Sequence, residues 1–212
     1  TMRPIEFSNK DIIMFLRFME MSGTTLKDVS GNSIQLALTG ASWTQGKRLS
    51  GALSFDGIDD STSRSTNAVL GGQNAISYEM WYKSTGTTID NQFIGGVSDT
   101  GSVRWHFYIF NTTAKPYIEL DLSGVNANIT GNTSIKGDNL WHHLVLTWDG
   151  ATLRLYVDGA EDGASVAIAG TMGAVVNGYC ITANDANRCV GVVSYARAYK
   201  RALNSAEIKI HY

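Results

Sequence analysis

The chain reads as an antiparallel, all-β, two-sheet sandwich of the jelly-roll type, and three observations carry that reading. Turn signals recur at short intervals: Ser22-Gly23, Ser30-Gly31-Asn32, Asp56-Gly57, Gly71-Gly72, Gly95-Gly96, Asp149-Gly150 and Asp158-Gly159. Between them lie short runs rich in β-branched and aromatic residues that alternate with period two. Proline occurs only at Pro4 and Pro116, neither inside a run that reads as a central strand. Helical periodicity is confined to a turn or two near Ser205–Ile210.

Composition bounds the rest. Hydrophobic residues make up 43% of the 212 residues and charged residues 17%, which supplies a sizeable core. No linker or low-complexity stretch divides the chain, so residues 12–212 are expected to form one domain behind an N-terminal extension of residues 1–11. Thr1, ahead of Met2, reads as a cloning remnant. Net charge is −2 with no basic run, which gives nucleic-acid binding no electrostatic support. The longest apolar runs are strand-length, so no membrane insertion is expected. The start MRPIEFSNKDIIMFL lacks a secretory pattern. Sequons at Asn111, Asn128 and Asn132 are then chance products of a Thr- and Asn-rich chain.

In chain order, Phe93–Val97 reads as a strand, followed by Val103–Phe110. There Val103, Trp105, Phe107 and Ile109 share one face, and Arg104, His106 and Tyr108 share the other. In YIELDLSG, Ile118, Leu120 and Leu122 point inward while Tyr117, Glu119 and Asp121 point outward. The segment WHHLVLTWDGATLRLYVDG (141–159) is the most chemical-looking part of the chain. It reads as a β-meander: His142, Leu144, Leu146 and Trp148 oppose His143, Val145 and Thr147, then Leu153, Leu155 and Val157 alternate with Thr152, Arg154 and Tyr156. The turn Asp158-Gly159 leads to a third strand near residues 165–168. Alternation sends His142 and His143 to opposite faces, so they do not share one metal. One is expected to be hydrogen-bonded against the core and the other to lie near the surface, with the aspartates at turns and strand ends. Cys180 and Cys189 flank ITANDANR. Either a disulfide closes a hairpin there, stabilising by roughly 2–3 kcal/mol, or two reduced thiols lie partly buried.

The meander resembles the signature of laminin G-like, concanavalin A-like jelly-roll domains, the lectin and glucanase fold family. Four further segments agree in the family's order: MFLRFMEMSGTTLKDVSGN (14–32), GALSFDGIDD (51–60), SYEMWYK (77–83) and GVVSYARAYKRALNSAEI (191–208). The resemblance runs from about residue 12 to the end. It departs at Ser194-Tyr195, where many relatives carry an Asp-Glu pair.

The family includes glycan-cleaving enzymes, so catalysis is tested on residues. Laminarinase-type relatives place E-x-D-x-E on one strand face, with the outer glutamates as nucleophile and acid/base. Here Glu119 and Asp121 fit, but Ser123 stands third and cannot act as a tuned carboxylic acid. No G-x-S-x-G elbow or phosphate-binding glycine loop appears, and the alginate-lyase-type motifs are absent. The expectation is a protein that is not an enzyme.

Relatives of this fold bind ligands on the concave sheet face and at rim loops. Arg104, His106 and Tyr108, joined by Tyr117, Glu119 and Asp121, form the candidate glycan patch of aromatic plates and hydrogen-bonding groups. Asp99, Asn184 and Asp185 are the candidate calcium ligands, with Asp59 and Asp60 a second pair that belongs to the family's turn signature. The function expected is recognition or adhesion on a glycan or protein surface, possible assistance by calcium included. The alternatives are a decoration or fibre module of a virus particle and a glycan hydrolase with an altered site. The fold suggests an extracellular or virion-surface location, and an oligomer or larger assembly is compatible with it.

Overall fold

The computed structural model describes residues 9–47, 50–63, 65, 68–87, 92–97, 103–110, 112–174, 178–182 and 188–212. Its strands, in chain order, are β1 (Ile12–Leu16), β2 (Thr25–Lys27), β3 (Gln35–Thr39), β4 (Ser42–Gln45), β5 (Gly51–Asp56), β6 (Ser61–Thr62), β7 (Ile76–Ser84), β8 (Gln92–Val97), β9 (Val103–Ile109), β10 (Pro116–Leu122), β11 (Val125–Thr130), β12 (Trp141–Trp148), β13 (Thr152–Val157), β14 (Ala160–Glu161), β15 (Val166–Ala167), β16 (Tyr179–Cys180) and β17 (Val190–Tyr199). Helix α1 (Ser205–His211) closes the chain. The all-β antiparallel expectation is met.

The larger sheet runs β14-β13-β12-β7-β17-β5-β4, with β1 pairing the second half of β17 and β15 pairing β13. The second sheet runs β11-β10-β9-β8-β16, and β2-β3-β6 form a small third one. Period-two alternation determines which side chains meet between the sheets. Tyr78, Met80 and Tyr82 of β7 and Leu144, Leu146 and Trp148 of β12 pack in one core with Trp105, Phe107 and Ile109 of β9 and Ile118, Leu120 and Leu122 of β10. The Trp148 indole N–H donates to the Ile168 carbonyl at 3.0 Å, so this large buried ring leaves no donor unsatisfied.

The third strand of the meander is found as β15, at Val166–Ala167 within the expected stretch and paired with β13. A further short strand, β14, precedes it, and between the two Asp162 turns inward and accepts the backbone N–H groups of Asn132 and Thr133 at 3.0 and 3.2 Å. Both histidines are buried, at 8% and 1% exposure, so the expected surface histidine is not found. His142 sits between Asp158 (2.7 Å from Nδ1) and Asp138 (2.8 Å from Nε2). Asp149 accepts the N–H groups of Ala151 and Thr152, a turn role as expected.

His143 faces the other side of the larger sheet, where the buried Glu79 gathers four partners. Its Oε1 lies 2.6 Å from Arg197 Nε and accepts the Tyr199 hydroxyl at 2.9 Å; its Oε2 lies 3.2 Å from His143 Nε2 and 2.8 Å from His211 Nδ1. Burial alone would raise the Glu79 carboxyl, but Arg197 and the two imidazoles outweigh it and hold it far below the ordinary carboxylate range. His211 belongs to α1, so this hub fastens the C-terminal helix to the sheet. The helix begins at a capping box: Asn204 accepts the Glu207 N–H and Glu207 accepts the Asn204 N–H, both at 2.9 Å.

Cys180 lies on β16 in the smaller sheet and Cys189 precedes β17 in the larger. They are not hairpin partners, no disulfide joins them, and both thiols are buried.

Candidate glycan-binding face

The outer face of the smaller sheet is built by two registers. On β9 and β10, Tyr108 pairs with Tyr117, His106 with Glu119 and Arg104 with Asp121. On β10 and β11, Tyr117 pairs with Thr130, Glu119 with Asn128 and Asp121 with Asn126. Three cross-strand rows result, and all six predicted patch residues occupy them. The β10–β11 register is set by a two-residue turn, Ser123-Gly124, with both residues left-handed at φ 51° and 93° as a type I′ hairpin requires. On the other side β8 approaches β9 closely at Gly96, where a Cβ would lie 2.3 Å from the Trp105 carbonyl oxygen. Only glycine fits there.

The patch residues are not equally presented. Tyr108, Tyr117 and Glu119 are part-exposed, whereas His106 (1%) and Asp121 (7%) are buried. These two therefore support the face rather than offer it to a ligand. Arg104 stands opposite Asp121 in backbone register, and its side chain lies outside the described residues. Glu119 is held in place by several neighbours: the Asn126 amide donates to Oε1 at 2.6 Å and the Tyr117 hydroxyl to Oε2 at 3.3 Å, with His106 Nε2 3.6 Å away. Asp121 accepts the Gly124 N–H at 2.9 Å and so stabilises the turn.

Phe110 completes the aromatic surface. Its ring centroid lies 4.4 Å from that of Tyr117 and 6.5 Å from that of Tyr108. It falls just beyond the end of β9; the sequence reading carried the strand to Phe110 but left it out of the patch, although its even number places it in phase with His106 and Tyr108. The amides of Asn126 and Asn128 were also missed. The Ser-Gly turn was the signal that would have set β11 opposite β10. Together the face offers three part-exposed rings, two of them phenols, beside a carboxylate and two exposed amides. Rings of this kind stack on the apolar faces of sugars while the polar groups pair with hydroxyls.

The third position of the laminarinase-type E-x-D-x-E pattern is not on the strand face. Ser123 has left the strand for the turn, where its hydroxyl donates to the Thr171 carbonyl at 3.1 Å. Asp99, Asn184 and Asp185, the candidate calcium ligands, lie outside the described residues. Among the described residues, Asp56, Asp59 and Asp60 bring carboxylate oxygens within 4.8 Å of one another. Their contacts there belong to a turn: Asp60 accepts the Asp56 N–H and Asp56 accepts the Ile58 N–H. No helix is long and apolar enough to cross a membrane among the described residues.

Comparison with known proteins gives a family and a set of similar folds. The family model described as concanavalin A-like lectin/glucanases superfamily matches residues 55–209. No curated protein sequence matches the chain. Among solved structures, the binding domain of Paraclostridial Mosquitocidal Protein 1 superposes with a TM-score of 0.73 at 15% identity, over 96% of this chain and 52% of that one. The binding domain of Botulinum Neurotoxin DC in complex with SialylT superposes with a TM-score of 0.74 at 15% identity, over 96% and 51%. The same toxin's binding domain in complex with rat synaptotagmin II gives 0.71 at 14% identity, over 96% and 51%. The chain spans about half the length of these structures, and at such identity the likeness is one of fold.

Proposed function

The chain belongs to the concanavalin A-like lectin/glucanases superfamily, and from that premise we propose that it is a non-catalytic recognition module that binds glycan on the outer face of its smaller sheet. The observation that carries this is the double register of β9, β10 and β11, which gathers Tyr108, Phe110, Tyr117, Glu119, Asn126 and Asn128 on one surface. Sugar recognition needs flat apolar surface next to fixed hydrogen-bonding groups, and this face has both. The similar structures are named as binding domains, one in complex with SialylT, which favours recognition over turnover. The displaced Ser123 also speaks against a laminarinase-type hydrolase, since the strand then lacks the second outer glutamate that such cleavage uses.

The test is a glycan array probed with the wild-type chain and with a Tyr108→Ala/Tyr117→Ala variant, with calcium and with a chelator. Binding by the wild type that the double variant loses supports the face. Equal binding by both, or release of sugar ends from a bound glycan, overturns the reading. Loss of binding in chelator alone brings calcium into it, with the loops of Asp99, Asn184 and Asp185 the first to mutate.

A further inference from the structure

A cavity of about 280 Å³ lies on the opposite side of the molecule from the glycan face, over the outer face of the larger sheet. Lys47, Ser50, Trp81, Tyr195, Arg197, Ile210 and His211 line it. We propose that it is a binding site for a small organic oxyanion, a carboxylate or phosphate ester no larger than a single sugar ring. This site is separate from the glycan face and stands whether or not that face binds sugar.

The charges argue for an anion. Among the described residues Lys47 and Arg197 bring positive charge to the cavity, and the nearby carboxylate, Glu79, is buried beneath it and already engaged with Arg197, Tyr199 and two imidazoles. Arg197 uses its Nε toward Glu79, while its two terminal nitrogens take part in no hydrogen bond among the described residues. Its guanidinium is held flat by aromatic rings, with Cζ 4.9 Å from the Tyr195 centroid and 5.4 Å from that of Phe15. A guanidinium fixed in this way presents its remaining donors in the fork geometry that oxyanions match. The Lys47 ammonium sits 5.0 Å from the centre of the Trp81 ring and has no carboxylate partner among the described residues.

The backbone is arranged to bring these groups together. Tyr195 sits at a bulge in β17, where the register against β7 shifts between Ser194 and Arg197, and its φ is +57°. A left-handed aromatic residue in a strand is strained, and a bulge re-aims side chains. Here it puts Tyr195 and Arg197, which ordinary alternation also places on one face, in ring-to-cation contact at the cavity wall. Lys47 is carried by a tight turn in which the Gly46 N–H donates to the Ser50 carbonyl at 2.8 Å. A Cβ on Gly46 would lie 2.4 Å from the Gly51 carbonyl oxygen and 2.5 Å from the Ser194 hydroxyl, so the turn docks on the sheet only with glycine there. Trp81, which lines the cavity, stacks with the rings of His143 (5.1 Å) and Tyr212 (5.8 Å), and these contacts hold its ring in place.

The size argues for a small ligand. Pockets for drug-sized molecules run from roughly 300 to 1,000 Å³, so this one suits a single ring or an amino-acid-sized body.

The experiment is a two-dimensional amide and indole NMR titration of the full chain at constant ionic strength with three probes: glucuronate, glucose 6-phosphate and glucose. The expected result is a saturable shift of the Trp81 indole and of residues near Tyr195 with one or both anionic probes and none with glucose. Which probe responds separates carboxylate from phosphate. Lys47→Gln, a change at a turn side chain, should weaken the response at least tenfold with an otherwise unchanged spectrum, and Tyr108→Ala should leave it intact. No saturable shift with either anion, an equal shift with glucose, or an unaltered affinity in Lys47→Gln overturns the proposal.

Discussion

Tyr108 and Tyr117 stand directly opposite one another on β9 and β10, with ring centroids 6.4 Å apart, and Phe110 packs 4.4 Å from Tyr117. If these rings carry sugar, Tyr117→Ala should weaken glycan affinity about tenfold, the equivalent of about 1.4 kcal/mol. Tyr117→Phe keeps the ring and loses only the hydroxyl given to Glu119, so its effect should be about threefold or less. Titration calorimetry with an array-identified glycan measures both. Equal losses in the two variants would mean that the hydroxyl, not the ring, is the contact.

The Glu79–Arg197 pair predicts a stability effect. Removing one partner of a buried ion pair leaves a charge unmatched, and Arg197→Met should destabilise by about 3–5 kcal/mol. The double change Glu79→Gln/Arg197→Met should lose less than the sum of the two singles, because neither charge is then stranded. Urea unfolding of the three variants reads this coupling. Strict additivity would show that the two side chains do not act as a unit.

The His142 cluster predicts a pH dependence. Burial by itself would lower the His142 pKa, but hydrogen bonds to Asp158 and Asp138 outweigh it and raise it above 6.5. Burial would raise Asp158, yet His142 and the His143 backbone N–H outweigh it and lower it below 3.8. A raised histidine contributes stability that is full below its unfolded pKa and lost as pH rises through the folded one. The lowered aspartate contributes above its unfolded pKa and loses that as pH falls. Both contributions are therefore complete between about pH 4 and pH 6.5. His142→Gln should destabilise more near pH 5.5 than near pH 8.5, by about 1 kcal/mol. Chemical denaturation at the two pH values checks it, and an equal loss at both would mean that protonation of His142 is not coupled to folding.

The thiols should be inert in the folded chain. Burial raises the Cys189 thiol far above its usual range, and thiolate is the reactive form. Titration with a disulfide reagent should find neither cysteine in native protein and both after denaturation. A native-state mass short by two protons, restored on reduction, would instead show a disulfide.

How much of this was legible in the sequence differs between strands and site. Alternation assigned the correct faces to His142 and His143, to Trp105, His106, Phe107, Tyr108 and Ile109 on β9, and to Tyr117, Glu119 and Asp121, because side-chain direction on a strand depends only on parity. It did not show that His143 is as buried as His142. That depends on α1 and its His211, sixty-eight residues away, folding over the sheet. For the cysteines, nearness in sequence left a hairpin disulfide and two buried thiols both open; the tertiary structure puts Cys180 in the smaller sheet and Cys189 just ahead of β17 in the larger one, as two buried thiols.

The sequence by itself determined the fold class, the family and the membership of each strand face, since turn residues and period two are local properties of the chain. Only the tertiary structure decided which of the candidate residues reach solvent, that Phe110 and the β11 amides join Tyr108 and Tyr117, and that Lys47, Trp81 and Arg197 line one cavity. These facts rest on strand register, on a bulge and on the docking of a distant turn and helix. Such contacts are made between segments far apart in the chain, and local pattern carries no record of their pairing.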